Sequence, residues 1–271
     1  MGIEEEEIGA VIALDGVNGT HLWQSNANAE LFATAQFYDL NKNGQEDVII
    51  GGRNHQLLAI DGTTGDTIWT FDEANQGSDS SVQNWFQFYT GQFIGDRNGD
   101  GIDDWLTSNG GDPSKGPGEP RDNGFMMIIS GATGEILSFA PTPDNKETYM
   151  SPFIFQPHPE METEILFGTG GETFSGSLWS TSIQAIESGD ISDSIMLIEQ
   201  KEGVEKGVMA PPTIADITHD GILDIIAPTF DGRIVAIDGR NYSIVWTVEV
   251  RDYAFEGDSP DIESYASPAI G

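Results

Sequence analysis

The chain has 271 residues, 38% of them hydrophobic and 10% aromatic, which is enough apolar surface for a packed core and excludes wholesale disorder. Its 11 Lys and Arg against 45 Asp and Glu give a formal charge of −34, a field that repels nucleic-acid phosphates and anionic lipid, so nucleic acid is not an expected partner. The absence of cysteine excludes disulfides, thiolate metal sites and cysteine nucleophiles, and no apolar run approaches the roughly 18 residues of a membrane span, so this segment is not expected to insert into a membrane.

In chain order, Met1-Gly2-Ile3 and Glu4 to Glu7 carry no signal-peptide pattern, so export would depend on sequence outside this segment. The first strand-like run, Val11 to Leu14, enters an Asp15-Gly16 turn, and Trp23 follows Asp15 by eight positions. An Asp-rich loop from Asp39 to Asp47 then precedes Val48-Ile49-Ile50, Leu57 to Ile60, an Asp61-Gly62 turn and Trp69, again eight positions after the Asp. Trp85-Phe86-Gln87-Phe88-Tyr89 reads as a buried first strand with its lead-in. A second Asp-rich loop, Asp96 to Asp104, is followed by Trp105-Leu106-Thr107 and by Asn109 to Asp122, whose Gly and Pro content predicts a surface loop. Met126 to Ile129 leads into Ser130-Gly131-Ala132-Thr133-Gly134, which keeps the turn but places Ser138 at the tryptophan position.

The fourth unit has lost the acidic loop, with Gln156, His158, Glu160, Met161 and Glu164 in its place, so no ion is expected there. It retains Ile165-Leu166-Phe167, and Ser182 to Ser188 reads as an inserted short helix. The fifth unit runs through Thr213-Ile214-Ala215, a loop from Asp216 to Asp224, Ile225-Ile226-Ala227, Ile234 to Ile237, Asp238-Gly239 and Trp246 within Ile244 to Val248. Asp39 lies 22 residues before Asp61, and Asp216 lies 22 before Asp238, so loop and turn belong to one repeating unit. The strands are apolar on successive residues, as expected when both faces are covered.

A four-stranded antiparallel unit recurring in this way predicts an all-β fold, a β-propeller built of blades. The expected arrangement is one partial propeller over 1–271, with blades at 1–31 (half), 32–80, 81–146, 147–206, 207–256 and 257–271 (first strand only), about five blades of a larger ring.

The acidic loops carry the chemistry. Asp96, Asn98, Asp100 and Asp104 supply side-chain oxygens at positions 1, 3, 5 and 9, Gly101 makes the sharp turn at 6, and Ile102 offers a carbonyl at 7. That donor set suits a hard cation taking six to eight oxygens, hence calcium (Ca2+). Asp39, Asn41, Asn43, Gln45 and Asp47 repeat the template with fewer charges. Asp216, Thr218, Asp220, Ile222 and Asp224 repeat it with a hydroxyl at position 3. An Asx-rich turn capped by its own side chains is the alternative reading of each loop. Trp23, Trp69 and Trp246 read as inter-blade packing, each covering on the order of 200 Å². His21, His55, His158 and His219 show no ligand spacing.

The stretch Ala59-Ile60-Asp61-Gly62-Thr63-Thr64-Gly65-Asp66-Thr67-Ile68-Trp69 resembles the repeat of pyrroloquinoline-quinone-type propellers, and the Asp39 and Asp96 loops resemble the FG-GAP calcium repeats of integrin α-subunit heads. The combined resemblance implies an exported or surface-anchored protein with calcium in its loops and a ligand-binding face. A quinone enzyme would carry an adjacent cysteine pair, which this chain lacks. The expected function is therefore a non-catalytic, extracytoplasmic, calcium-stabilised scaffold for a protein or glycan. The alternatives are part of a polysaccharide lyase or of a quinone-dependent dehydrogenase.

Overall fold

The computed structural model describes residues 8–75, 87–112, 115–116, 118–253 and 263–270, so Trp85, Phe86 and residues 257–262 lie outside the described residues. Two compact units are present, one of Met1–Ser114 with Met126–Phe139 and the other of Lys115–Phe125 with Ala140–Gly271.

The first unit opens with a two-stranded sheet of β1 (Gly9–Leu14) and β2 (His21–Ala27). A four-stranded antiparallel sheet follows in the order β3 (Gln36–Tyr38), β4 (Asp47–Gly51), β5 (Leu57–Ile60) and β6 (Thr67–Thr70), and α1 (Phe71–Ala74) adds a single turn capped by Thr70. The next sheet contains β7 (Gln87–Phe88), β8 (Gln92–Phe93), β9 (Trp105–Gly110), β10 (Phe125–Ile129) and β11 (Ile136–Pro141). Its inner strand is split into β7 and β8, both paired to β9, and Gly91 in the gap lies against the Trp105 ring with no room for a side chain.

The second unit holds two four-stranded antiparallel sheets. One is β12 (Phe153–Phe155), β13 (Glu164–Gly168), β14 (Leu178–Ser182) and β15 (Ile195–Ile198), with α2 (Ile183–Ser188) between its last two strands. The other is β16 (Thr213–Ala215), β17 (Asp224–Pro228), β18 (Arg233–Ile237) and β19 (Ile244–Glu249). The α2 helix starts on the Ser182 hydroxyl, which accepts from Ala185 N–H, and stops at Gly189 with φ +77°.

Each second strand is enclosed, with every residue of β4, β9 and β17 buried. In the first unit Val11 and Trp23 pack with Val48, Ile50 and Ile60 across two sheets. In the second unit Phe155, Leu166 and Leu178 pack with Ile225, Val235 and Ile237. This is blade-on-blade stacking of a β-propeller. A finer repeat accompanies it: Ala13 pairs with Trp23, Ala59 with Trp69 and Ala236 with Trp246, each with a register shift at the following residue. A small residue opposite the indole lets the ring lie over the strand, and the bulge sharpens the twist into the Asp-Gly turn.

Three expectations are corrected. The helix at α1 was not anticipated. Asn109 to Asp112 are not surface loop, because β9 continues to Gly110 and pairs it with Gln87, and Gly111 and Asp112 are buried. Residues 263–270 form no strand, although Ser267 donates its hydroxyl to the Pro211 carbonyl at 2.7 Å.

Between β17 and β18, the buried Asp231 carboxylate meets Arg233 at 2.6 Å and accepts from Thr229 Oγ1 at 2.5 Å. Burial alone would push its carboxyl up, but the hydrogen bonds from Arg233 and Thr229 outweigh it and hold the group below the usual carboxylate range. A depressed folded value contributes stability above the unfolded value and loses it as pH falls through the folded one. Removing the Arg233 side chain takes away the largest influence that opposes burial, leaving the Thr229 hydroxyl and the backbone N–H of residue 233. Arg233→Ala is expected to cost about 3 kcal/mol at neutral pH, and the gap from wild type should narrow as the pH is lowered and Asp231 takes a proton in the variant before it does in the wild type, read by urea titration at neutral and acidic pH.

Candidate metal-binding loops and carboxylate staples

The three acidic loops occupy one structural position: Asp39 to Asp47 joins β3 to β4, Asp96 to Asp104 joins β8 to β9, and Asp216 to Asp224 joins β16 to β17. In each the first Asp turns inward onto the loop's amides. Asp39 accepts from Asn43 N–H and Gly44 N–H at 2.9 Å each, Asp96 from Gly99 N–H at 2.6 Å and Gly101 N–H at 2.8 Å, and Asp216 from Asp220 N–H at 3.1 Å and Gly221 N–H at 3.0 Å. Gly44, Gly101 and Gly221, at position 6, have φ of +85°, +85° and +84°, the left-handed turn that aims these amides at the carboxylate.

Positions 3 and 5 continue the pattern. Asn98 Oδ1 accepts from Asp100 N–H at 3.0 Å, Asp100 Oδ1 from Ile102 N–H at 2.8 Å, Asn41 Oδ1 from Asn43 N–H at 3.0 Å, and Asn43 Oδ1 from Gln45 N–H at 2.8 Å. In the third loop Asp220 Oδ1 accepts from Ile222 N–H and its Oδ2 from Arg240, at 2.9 and 2.8 Å, which holds its carboxyl below the usual range. Asp96 is likewise lowered, first by Gly101 N–H and then by Gly99 N–H. Among the described residues no three His, Cys, Asp or Glu side chains form a group that could hold a metal ion. The oxygen donors suit calcium in kind, since each carboxylate oxygen keeps a second lone pair, but the geometry is that of a self-capped Asx turn.

The ninth position does something the spacing did not announce. Asp47 is buried, its Oδ2 accepting from Leu40 N–H at 2.9 Å and Asn41 N–H at 3.2 Å while Oδ1 accepts from Gly62 N–H at 3.0 Å. Asp224 repeats this with Ile217 at 2.9 Å, Thr218 at 3.0 Å and Gly239 at 3.0 Å, and Asp104 with Arg97 at 2.7 Å and Gly131 at 3.2 Å. Each carboxylate staples the start of the acidic loop to a turn glycine, in the Asp-Gly turns of the first and third loops and in Ser130-Gly131 of the second. That tie accounts for the equal separation of the two motifs in two of the sheets, 15 residues from Asp47 to Gly62 and from Asp224 to Gly239, while in the third the turn glycine reaches Asp104 from 27 residues away. At Asp104 burial is the largest influence and pushes the carboxyl up despite the two amides, with the charges of Asp100 and Asp96 adding to it.

In the fourth unit the same corner is built differently. Gln156 donates its amide to the Met161 carbonyl at 3.2 Å, and the Glu164 carboxylate takes the hydroxyls of Ser180 and Tyr242.

The tryptophans complete the junctions of the first unit. Trp23 Nε1 donates to the Gly62 carbonyl and Trp69 Nε1 to the Gly131 carbonyl, both at 2.9 Å. The rings lie over Gly65 and Gly134, where a Cβ would come within 2.8 Å of Trp23 and 2.5 Å of Trp69. Tyr242 stands at the matching turn position of the last sheet, so a ring fills the place that glycine leaves open elsewhere. Trp246 departs from the expectation of inter-blade packing, since it is exposed.

Among solved structures, the quinohemoprotein alcohol dehydrogenase from Comamonas testosteroni is similar at TM-score 0.60 and 13% identity, covering 92% of this chain and 41% of that one. A europium-containing methanol dehydrogenase is similar at TM-score 0.58 and 12% identity, with 88% and 47% covered, and BamB from Moraxella catarrhalis at 0.51 and 14%, with 92% and 57% covered. The chain thus spans about half the length of these structures, and at such identities the likeness is one of fold. No curated protein matches it in sequence. The family model described as FAM234A/B beta-propeller matches residues 8–253, from the first paired strand to beyond the last, and the chain belongs to that family.

Proposed function

We propose that the chain is a non-catalytic, extracytoplasmic propeller scaffold that presents a surface to a protein or glycan and holds calcium in its acidic loops. The observation that carries the scaffold reading is the use of the buried carboxylates: Asp47, Asp104 and Asp224 spend their oxygens on backbone amides that tie the loop and the turn of one blade to each other. No helix among the described residues is long and apolar enough to cross a membrane.

Calcium in these loops is supported by their donor set and by the second loop, where burial raises the Asp104 carboxyl and the charges of Asp100 and Asp96 add a smaller push in the same direction. A divalent ion would neutralise that repulsion and leave the amides their shared oxygens. The Asp96 loop is the strongest candidate. The Asp216 loop is weaker, because Arg240 already neutralises Asp220 at 2.8 Å. Sites of this class fill where calcium is abundant, at about 0.1 to 1 mM, which is the support for an extracytoplasmic location in this reading.

The test is thermal melting in chelator and in millimolar calcium. The melting temperature should rise by several degrees with calcium in the wild type, and by much less in Asp96→Ala; melting indifferent to calcium would refute the metal assignment. Dye reduction after addition of quinone, calcium and an alcohol or sugar would overturn the non-catalytic reading.

A further inference from the structure

The turns that begin at Asp15, Asp61, Ser130 and Asp238 share one backbone. The fifth residue of each donates its N–H to the first carbonyl, Gly19 to Asp15 at 2.7 Å and Gly65, Gly134 and Tyr242 to Asp61, Ser130 and Asp238 at 2.8 Å. The fourth side chain caps the sixth N–H: Thr64 Oγ1 accepts from Asp66 at 3.1 Å, Thr133 Oγ1 from Glu135 at 3.3 Å, Asn18 Oδ1 from Thr20 at 2.9 Å and Asn241 Oδ1 from Ser243 at 2.8 Å. Threonine therefore suffices for this turn. The two turns that carry asparagine instead are also the two with a hydroxyl at the sixth position, where the others have Asp66 and Glu135. Asn18-Gly19-Thr20 and Asn241-Tyr242-Ser243 both read Asn-x-Ser/Thr without proline at x, the acceptor pattern of N-glycosylation.

The turn leaves the reacting atoms open. Capping uses only Oδ1, so Nδ2 of Asn18 and of Asn241 has no partner among the described residues, and neither has the hydroxyl of Thr20 or Ser243. In the acidic loops, by contrast, Asn41 Nδ2 donates to Asp61 at 2.8 Å and Asn98 Nδ2 to Asp100 at 2.9 Å. Asn18, Thr20, Asn241 and Ser243 are all exposed. So is Thr64 at the same turn position, in a sheet that Trp23 contacts from one neighbour and that reaches the other through Trp69. Exposure there belongs to the turn itself and does not need an open flank.

We propose that Asn18 and Asn241 are acceptors of N-linked oligosaccharide, an inference that rests on the extracytoplasmic location proposed above. The donor is an oligosaccharide carried on a lipid diphosphate. Nδ2 forms a bond to the anomeric carbon of the sugar, the bond from that carbon to the diphosphate oxygen breaks, and the diphosphate leaves with the electron pair while one amide proton passes to a base of the transferase. The substituted amide keeps Oδ1, so the cap onto Thr20 or Ser243 N–H survives and the fold accommodates the glycan, which is bulky, solubilising and confined to surface.

The test routes the full chain through the secretory pathway of a eukaryotic cell with an added signal peptide. Electrophoretic mobility is read before and after peptide-N-glycosidase, and mass spectrometry locates each asparagine that the enzyme converts to aspartate. Wild type should lose two glycans, Asn18→Thr and Asn241→Thr one each, and the double variant none. Threonine repeats the cap of Thr64 and Thr133, so these variants keep the turn and should melt as the enzyme-treated wild type does. Thr20→Ala and Ser243→Ala leave the asparagines in place yet should each lose the same glycan, which tests recognition of the hydroxyl. A secreted wild type unmodified at these asparagines, or alanine variants modified as fully as wild type, would overturn the proposal and leave the location untouched. Glycan on the routed chain but absent from the protein isolated from its own cells would overturn the extracytoplasmic location and, with it, the modification in the cell.

Discussion

Asp224→Ala is expected to lower the melting temperature by about 6 to 12 °C. The carboxylate is buried and holds three amides, of Ile217, Thr218 and Gly239, at 2.9 to 3.0 Å. Removing it leaves donors whose desolvation is no longer compensated, at roughly 1–3 kcal/mol for a stranded buried group. Gly239 bears most of this cost, because its hydrogen bond is buried while the two loop amides are part-buried and closer to water. A total near 3 kcal/mol corresponds to that shift for a chain of this size, at about 2–4 °C per kcal/mol. Asp216→Ala, eight positions earlier, is the control. Its carboxylate also accepts two amides, but on an exposed turn where water replaces it, so less than about 1 kcal/mol is expected in chelator. Calorimetry of both variants without calcium separates the staple from any metal effect.

Gly134→Ala should be about as damaging, for a different reason. The new Cβ would stand 2.5 Å from Trp69 Cε3, and the backbone at φ +76° is one that alanine adopts only with strain. Left-handed strain costs roughly 1–2 kcal/mol and forcing the ring aside roughly 1–3 kcal/mol. Gly19→Ala isolates the first contribution, because φ is +72° there with no described atom within 4 Å. The expected difference between the two variants is therefore about 2 kcal/mol by chemical denaturation, accompanied in Gly134→Ala by a red shift of tryptophan emission as the Trp69 indole leaves the Gly131 carbonyl.

Much of the blade was readable from the chain because its punctuation is chemical. Asp61-Gly62 and Asp238-Gly239 are turns that few other pairs make, and the apolar runs between them have strand length, so Leu57 to Ile60 and Thr213 to Ala215 were anticipated to the residue. The α2 helix was legible through its Ser182 cap and Gly189 stop. The four-residue α1 was not, because so short a helix is held by its surroundings: Asn75 Nδ2 donates to the Gly134 carbonyl at 2.9 Å, a contact 59 residues away in sequence. Continuation of β9 through Asn109 and Gly110 was hidden for a similar reason, since Gly and Asn signal a loop until a partner strand pairs with them.

The acidic loops were located correctly but their last residue was read for a different task. A carboxylate that caps backbone amides and one that coordinates a cation have the same sequence spacing, and only burial distinguishes Asp47, Asp104 and Asp224 from the exposed acids earlier in each loop. The signal that could have found the staple was already visible: Asp47 to Gly62 and Asp224 to Gly239 are each 15 residues apart. Exposure of Trp246 could not be read at all, because it depends on what lies beside the sheet rather than on the strand's own residues.

The central claim is that in three of the sheets a buried carboxylate ties the acidic loop to the turn of the same sheet, and amide hydrogen exchange at Gly62, Gly131 and Gly239 tests it most directly. These three amides sit in turns, outside the strand ladders, yet each should exchange with the slow kinetics of the neighbouring strands, and Asp224→Ala should release Gly239 alone. Exchange of all three at the rate of open turn amides in the wild type would contradict the account.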